Sequence, residues 1–240
     1  VELYDKYTEN WFQREDHRLQ ITKEGKQELV EGLASRLWQE GTDKIHYTAL
    51  SDVISHHLKA KDKIRTTRDL EAADYEVRTA SFLVRDGEGY YRFAHKSFQE
   101  FFLARRIKKE LAGENTGVLD MRLFSVEVVF FLRHLVENHQ TLIGKMAEVL
   151  AKPYRENISE NALFIYYSVI KMSCLDQRFA VDPGALLDDS RSRELAECLE
   201  KNLPLLDTIT RDHHLQIRGT DGEKTAVEKA VFDISNARRL

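Results

Sequence analysis

Ser81–Ile107 reads SFLVRDGEGYYRFAHKSFQEFFLARRI, and a change of period inside it decides the fold. Ser81–Arg85 and Tyr90–Ala94 alternate with a period of two and flank Asp86-Gly87-Glu88-Gly89. That is a β-hairpin pattern, with the glycines expected to supply positive φ in the turn. After the hairpin the period becomes helical. Phe98, Phe101 and Phe102 fall on one face at about 3.6 residues per turn and are read as core anchors. Leu103, Ala104, Ile107 and Leu111 fall on nearly the opposite face. A helix with two apolar sides is suited to joining two bodies, so this one is expected to tie its own domain to the next. Gln99 and Glu100 are expected to cap or bond locally.

Upstream, Leu3, Tyr7 and Trp11 stand four apart, a one-faced helix running to about Glu15. Leu29, Val30, Leu33, Ala34, Leu37 and Trp38 form a second stripe, with Thr22 as its N-cap and Gly41 as its stop. An extended stretch, Lys44–Tyr47, leads to Thr48 as the cap of a helix that puts Leu50, Val53, Ile54 and Leu58 on one face. Thr66/Thr67 would cap another, bearing Leu70, Ala73 and Val77. Helix, short strand, helix, helix, hairpin is the layout of a winged helix. Downstream the pattern stays helical over Phe124–Val136, Leu142–Leu150, Leu163–Met172 and Leu195–Leu203. Leu163–Met172 (LFIYYSVIKM) is apolar nearly all round and is read as a buried centre. After Pro204 the pattern weakens, with short alternations near Ile209 and Leu215–Arg218.

The fold class is therefore mainly α: a winged-helix domain with a small β-hairpin, followed by an all-α domain. The expected partition is 1–16 as the end of a preceding helical subdomain, 17–112 as the winged helix and 113–204 as the helical domain. Residues 205–240 are left as a C-terminal segment that could open a sensor or repeat region. Length suits two domains; 42% apolar and 32% charged residues suit a globular, helix-rich chain. A net charge of −4 argues against a nucleic-acid footprint. Cys174 and Cys198 lack metal-ligand spacing and read as small hydrophobes in a reducing compartment. No apolar run reaches the ~20 residues of a membrane helix, so no membrane partner is expected and the cytoplasm is the expected location. A start at Val1, directly into a helical pattern, suggests a piece of something larger.

The run Phe93-Ala94-His95-Lys96-Ser97-Phe98-Gln99-Glu100-Phe101-Phe102-Leu103-Ala104 resembles the F-x-H-x-S/T-F-Q-E-F/Y-F-A-A signature of NACHT-family signalling ATPases, of the STAND class. The hairpin before it and the opening LYDKYTENWFQRED carry the same resemblance, over about residues 1–112. It implies a regulatory and interaction fragment of a defence-signalling (innate-immunity or antiviral) NTPase. His95 would sense the nucleotide state by reaching the β-phosphate of ADP, as an imidazole N–H can. Phe93, Ser97, Phe98, Gln99, Glu100, Phe101 and Phe102 would support the motif. The nucleotide (ADP or ATP with Mg) and the ATPase domain, the intramolecular partner, would belong to the parent protein. Homo-oligomerisation would follow activation by a ligand the sequence does not identify.

Catalytic equipment is not expected in this chain, so it reads as no enzyme. GxxxxGK[ST] is absent, and Gly219–Thr225 (GTDGEKT) reads as a polar turn because Glu223 separates Gly222 from Lys224. His56-His57 and His213-His214 lack partners at ligand spacing, so no metal site is expected. The competing reading is a winged-helix nucleic-acid binder. Its recognition helix would run Arg68–Arg78, where acids match bases and phosphates would be repelled as much as attracted.

Overall fold

The structure is a computed structural model that describes residues 1–14, 23–59, 75, 82–150, 152 and 155–175. The expected caps at Thr22 and Thr66/Thr67, the expected helix bearing Leu70, Ala73 and Val77 (save Tyr75), the expected helix over 195–203, and everything expected after 175 lie outside these residues. The described part is mainly helical with one small antiparallel sheet. The chain divides into two compact units, Val1–Gly113 and Glu114–Leu240.

The first unit opens with α1 (Glu2–Arg14) and α2 (Lys23–Glu40). In α2 the expected stripe is buried at Leu29, Val30, Leu33, Ala34 and Leu37, while Trp38 is half-buried. Gly41 ends the helix in the left-handed region, φ 68°. The Thr42 N–H reaches the Leu37 carbonyl and the Gly41 N–H reaches that of Trp38, each at 3.1 Å, satisfying two carbonyls the helix end would orphan. In α1 the expected face is wrong by one residue. Leu3 is 77% and Tyr7 49% exposed, whereas Thr8 and Phe12 are buried. The Trp11 side chain lies outside the described set. Tyr4, Thr8 and Phe12 have the same i, i+4 spacing as Leu3, Tyr7 and Trp11, and the polar Thr8 hides that face from a hydropathy reading.

β1 (Lys44–His46) is followed at once by α3 (Tyr47–Lys59). Thr48 does not cap this helix; its Oγ1 lies 2.9 Å from His46 Nδ1. The Tyr47 N–H is satisfied by the Gly89 carbonyl of the hairpin turn (3.1 Å), which locks helix to sheet. Leu50, Val53 and Ile54 are buried as the pattern requires. β2 (Leu83–Arg85) and β3 (Tyr90–Phe93) form the hairpin, and β1 pairs with the far side of β3, giving the order β1-β3-β2. Ile45 opposite Tyr91, and Leu83 opposite Phe93, face the core; Lys44 and Arg92 face solvent. Only Gly89, at φ 89°, supplies the positive φ expected of both turn glycines. Asp86 does the other half of the work: its carboxylate accepts from the N–H groups of Tyr90 (2.8 Å) and Glu88 (3.0 Å). Those bonds, led by the one from Tyr90, hold its pKa below the ordinary 3.8.

α4 (Lys96–Ala112) closes the unit. Both of its expected apolar faces are buried, Phe101 and Phe102 as fully as Leu103, Ala104 and Ile107. α2 packs along it inside the same unit. Between them Glu31, buried on α2, receives the Arg105 guanidinium at 3.2 Å, and Lys109 reaches Glu28 at 2.9 Å. Burial raises the Glu31 pKa above the ordinary 4.5, more than the Arg105 charge and hydrogen bond lower it. A carboxyl whose folded pKa lies above its unfolded value adds stability at low pH and loses it as pH rises through the folded value. The parent should therefore lose more stability between pH 4.5 and pH 7 than Glu31→Gln, which cannot ionise, as read by denaturant midpoints across that range.

The second unit starts with a 3-10 turn (Thr116–Leu119), then α5 (Val126–Leu135), α6 (His139–Leu150) and α7 (Glu156–Leu175). Ser125 caps α5 by accepting from the Val128 N–H at 3.2 Å. α7 begins seven residues before the apolar run that announced it and buries Ala162, Leu163, Phe164, Ile165, Tyr166 and Val169. Burial pushes the Tyr166 phenol up to about 12, so it stays neutral. In the middle of this face sits Asn161, with no exposed surface. Its Oδ1 accepts from the Phe124 N–H (2.8 Å) and its Nδ2 donates to the carbonyls of Leu119 (3.0 Å) and Met121 (2.9 Å). One side chain thus satisfies the buried backbone of the irregular 119–124 stretch. No helix among the described residues is long and apolar enough to cross a membrane.

Candidate functional site

The residues singled out by the sequence meet at the junction between β3 and α4. His95 is the N-cap of α4, extended at φ −142°, ψ 140°, and exposed. Its Nδ1 accepts from the Ser97 N–H at 3.2 Å and lies 2.6 Å from Ser97 Oγ. Ser97 Oγ in turn accepts from the Tyr4 hydroxyl at 2.7 Å. The donor inventory then has one consistent solution. Tyr4 O–H donates to Ser97, and Ser97 O–H donates to His95 Nδ1, the nitrogen that also accepts from the Ser97 N–H.

The aromatics of the same run are structural. Phe82 sits at the hub, with ring centroids 5.0 Å from Phe98 and 5.2 Å from Phe102. Phe102 meets Phe101 at 5.6 Å and Phe93 at 6.0 Å. Tyr4 lies 5.4 Å from both Phe98 and Phe101. Edge-on and tilted pairs of this kind are the favoured arrangement of quadrupolar rings. Gln99 and Glu100 are buried, and Glu100 binds Lys96 one turn earlier at 3.2 Å. The spacing of this run is thereby accounted for by packing: Phe93 ends a strand, His95 caps a helix, and Phe98, Phe101 and Phe102 fill the space between them.

Two participants had no local signal. Tyr4 lies 93 residues from Ser97, and Asp5, which the Arg105 guanidinium reaches at 3.4 Å, lies 100 residues from its partner. Among the described residues no group of three or more His, Cys, Asp or Glu side chains could hold a metal ion. The described junction can cap a helix and present one imidazole N–H; it holds no nucleophile–base–anion-hole constellation. His95→Ala should cost about 1 kcal/mol through the lost cap, and His95→Asn should restore most of it. The denaturant midpoint of the first unit reads both.

Comparison with known families points elsewhere in the chain. Residues 196–240 match the family described as ATP:guanido phosphotransferase, C-terminal catalytic domain. The match spans under a fifth of the chain and lies outside the described residues, so it is a likeness of that segment. No curated protein and no solved structure gives a significant match.

The match overturns the assignment to NACHT-family signalling ATPases, and with it the regulatory, defence-signalling role drawn from the β3–α4 run. It equally displaces the nucleic-acid-binding regulator that stood as the competing reading. The expectation of no enzymatic sequence is corrected too, since the matched family is catalytic. A P-loop has one order of glycines and lysine around a phosphate, and other enzymes that move phosphoryl groups need not use it.

Proposed function

We propose that this chain carries part of an ATP-dependent phosphotransferase whose acceptor is a guanidino nitrogen. The observation that supports this most is the match over residues 196–240. In such a transfer a guanidino nitrogen forms a bond to the γ-phosphorus, the bond from that phosphorus to the β–γ bridging oxygen breaks, ADP leaves, and the nitrogen gives up a proton. Catalysis of phosphoryl transfer is chiefly positioning and charge stabilisation. The matched segment has a composition suited to both. Gly219 and Gly222 stand between Arg218 and Lys224, and Arg238-Arg239 follow. Glycines let backbone N–H groups approach phosphate closely, and the cations offset its charge.

ADP release from ATP should depend on an added guanidino compound, such as free arginine or an arginine peptide. Arg218→Ala and Lys224→Ala should each lower that rate by about a hundredfold, as loss of one charge-stabilising donor does. ADP release indifferent to the acceptor, or to both substitutions, would contradict the assignment.

For the remainder of the chain we infer a scaffold. A winged helix over 17–112 is supported by the helix–strand–helix–hairpin order and by the β1-β3-β2 sheet. An all-α domain would follow from residue 113 as far as the matched segment, which begins at residue 196.

A further inference from the structure

We propose that Arg133 anchors a binding site on the second unit for a small monocarboxylate that carries an apolar group. Arg133 stands in the last turn of α5, and its side chain is half-buried. Among the described residues it has no carboxylate partner, whereas Arg36, Arg105, Arg106 and Lys109 each hold one. Its Nε is enclosed without an acceptor, and its Nη1 meets the Ser168 carbonyl at 3.4 Å, a long contact. The guanidinium carbon lies 5.4 Å from the centroid of the Phe130 ring, and Phe130 is 42% exposed. A charge drawn out of water without a counter-charge lowers stability until something supplies one. Burial pulls the guanidinium pKa from 12.5 down to about 10, so the group stays charged at neutral pH.

Two local features steady this cation without filling its donor edges. The C-terminal end of α5 carries partial negative charge, and the Phe130 ring offers its face. The backbone beneath is fixed. The His139 Nε2–H donates to the Arg133 carbonyl (2.7 Å), and the Val136 N–H to that of Leu132 (3.1 Å). The stem of the guanidinium is thus set before any ligand arrives, which lowers the cost of binding. A planar guanidinium edge matches the two oxygens of a carboxylate. A second negative charge would gain no donor from the neutral ring of His134. Its Nδ1–H already donates to the Phe130 carbonyl (2.8 Å), and the other nitrogen of that ring then only accepts. One charge is therefore favoured over a phosphate dianion. The His134 ring lies 4.3 Å from that of Phe130, and the two rings form a shelf beside the guanidinium for the uncharged part of the ligand.

Titration of the full chain with phenylacetate, followed by amide NMR shifts, tests this. Saturable shifts should appear over residues 126–135 and at Ser168. Arg133→Met, which keeps an unbranched stem, should weaken binding by about tenfold or more, the share of a charge-assisted hydrogen bond. Acetate lacks the ring and benzyl alcohol lacks the charge, so each should bind more weakly than phenylacetate at the same ionic strength. Without ligand, Arg133→Met should be no less stable than the parent, because it removes an uncompensated charge. Shifts that persist undiminished in Arg133→Met would overturn the proposal. So would phenylacetate that moves these residues no more than benzyl alcohol does. A marked loss of stability in the unliganded variant would overturn it as well, since the guanidinium would then already be paired.

Discussion

Asn161→Leu should lower the stability of the second unit by about 3 kcal/mol or more, despite replacing a polar side chain with an apolar one in an apolar core. Asn161 makes three hydrogen bonds to backbone groups at 119–124 and has no exposed surface. Leucine would leave the Phe124 N–H and the carbonyls of Leu119 and Met121 without that partner, and each such group costs about 1–3 kcal/mol when buried. The added hydrophobic contact offsets only part of this. Asn161→Asp should also be destabilising, because the carboxylate keeps the acceptor but loses both donations and buries a charge. Urea unfolding followed by far-ultraviolet circular dichroism reads the shift; a change under about 1 kcal/mol for the leucine variant, less than one orphaned group costs, would contradict the bracket role.

Phe102→Ala is the counterpart in the first unit, with an expected loss of about 3–5 kcal/mol. Phe102 is fully buried and touches the rings of Phe82, Phe93 and Phe101, which belong to the hairpin approach, the sheet and its own helix. Its removal leaves a cavity at the point where the sheet meets α4, and three rings lose their edge contacts together. Phe98→Ala should cost less, because Phe98 is only half-buried on the α1 side. The order of the two midpoints is the check: a Phe98 variant less stable than the Phe102 variant would reverse the assigned core.

Local chemistry was legible in the sequence wherever it was local. The α2 stripe, the Gly41 stop and the hairpin followed from spacing and from glycine, because each is decided within a few residues. The buried face of α1 is hidden in the sequence because the polar Thr8 lies on it, and the aromatic hub at Phe82 and Phe98 receives Tyr4 as well as the half-exposed Tyr7. Asn161 stands before the apolar run, beside Glu160, and its partners lie about 40 residues away. The site was less legible still. The His95 run has a spacing that packing and capping at a strand-to-helix junction also produce, so its likeness to a signalling-ATPase motif did not identify the family. Residues 219–225 do not satisfy a P-loop pattern, and that pattern is silent on enzymes that move phosphoryl groups without one.

Transfer of a phosphoryl group from ATP to a guanidino nitrogen leaves a product with a phosphorus–nitrogen bond, and that bond has its own phosphorus NMR signature. The full chain incubated with ATP and a guanidino compound should give a new N–P resonance that grows as the ATP γ-signal falls. The resonance should disappear on mild acid treatment and be lost in Arg218→Ala. ATP turning over to ADP and inorganic phosphate alone, or not turning over at all, would contradict the transfer.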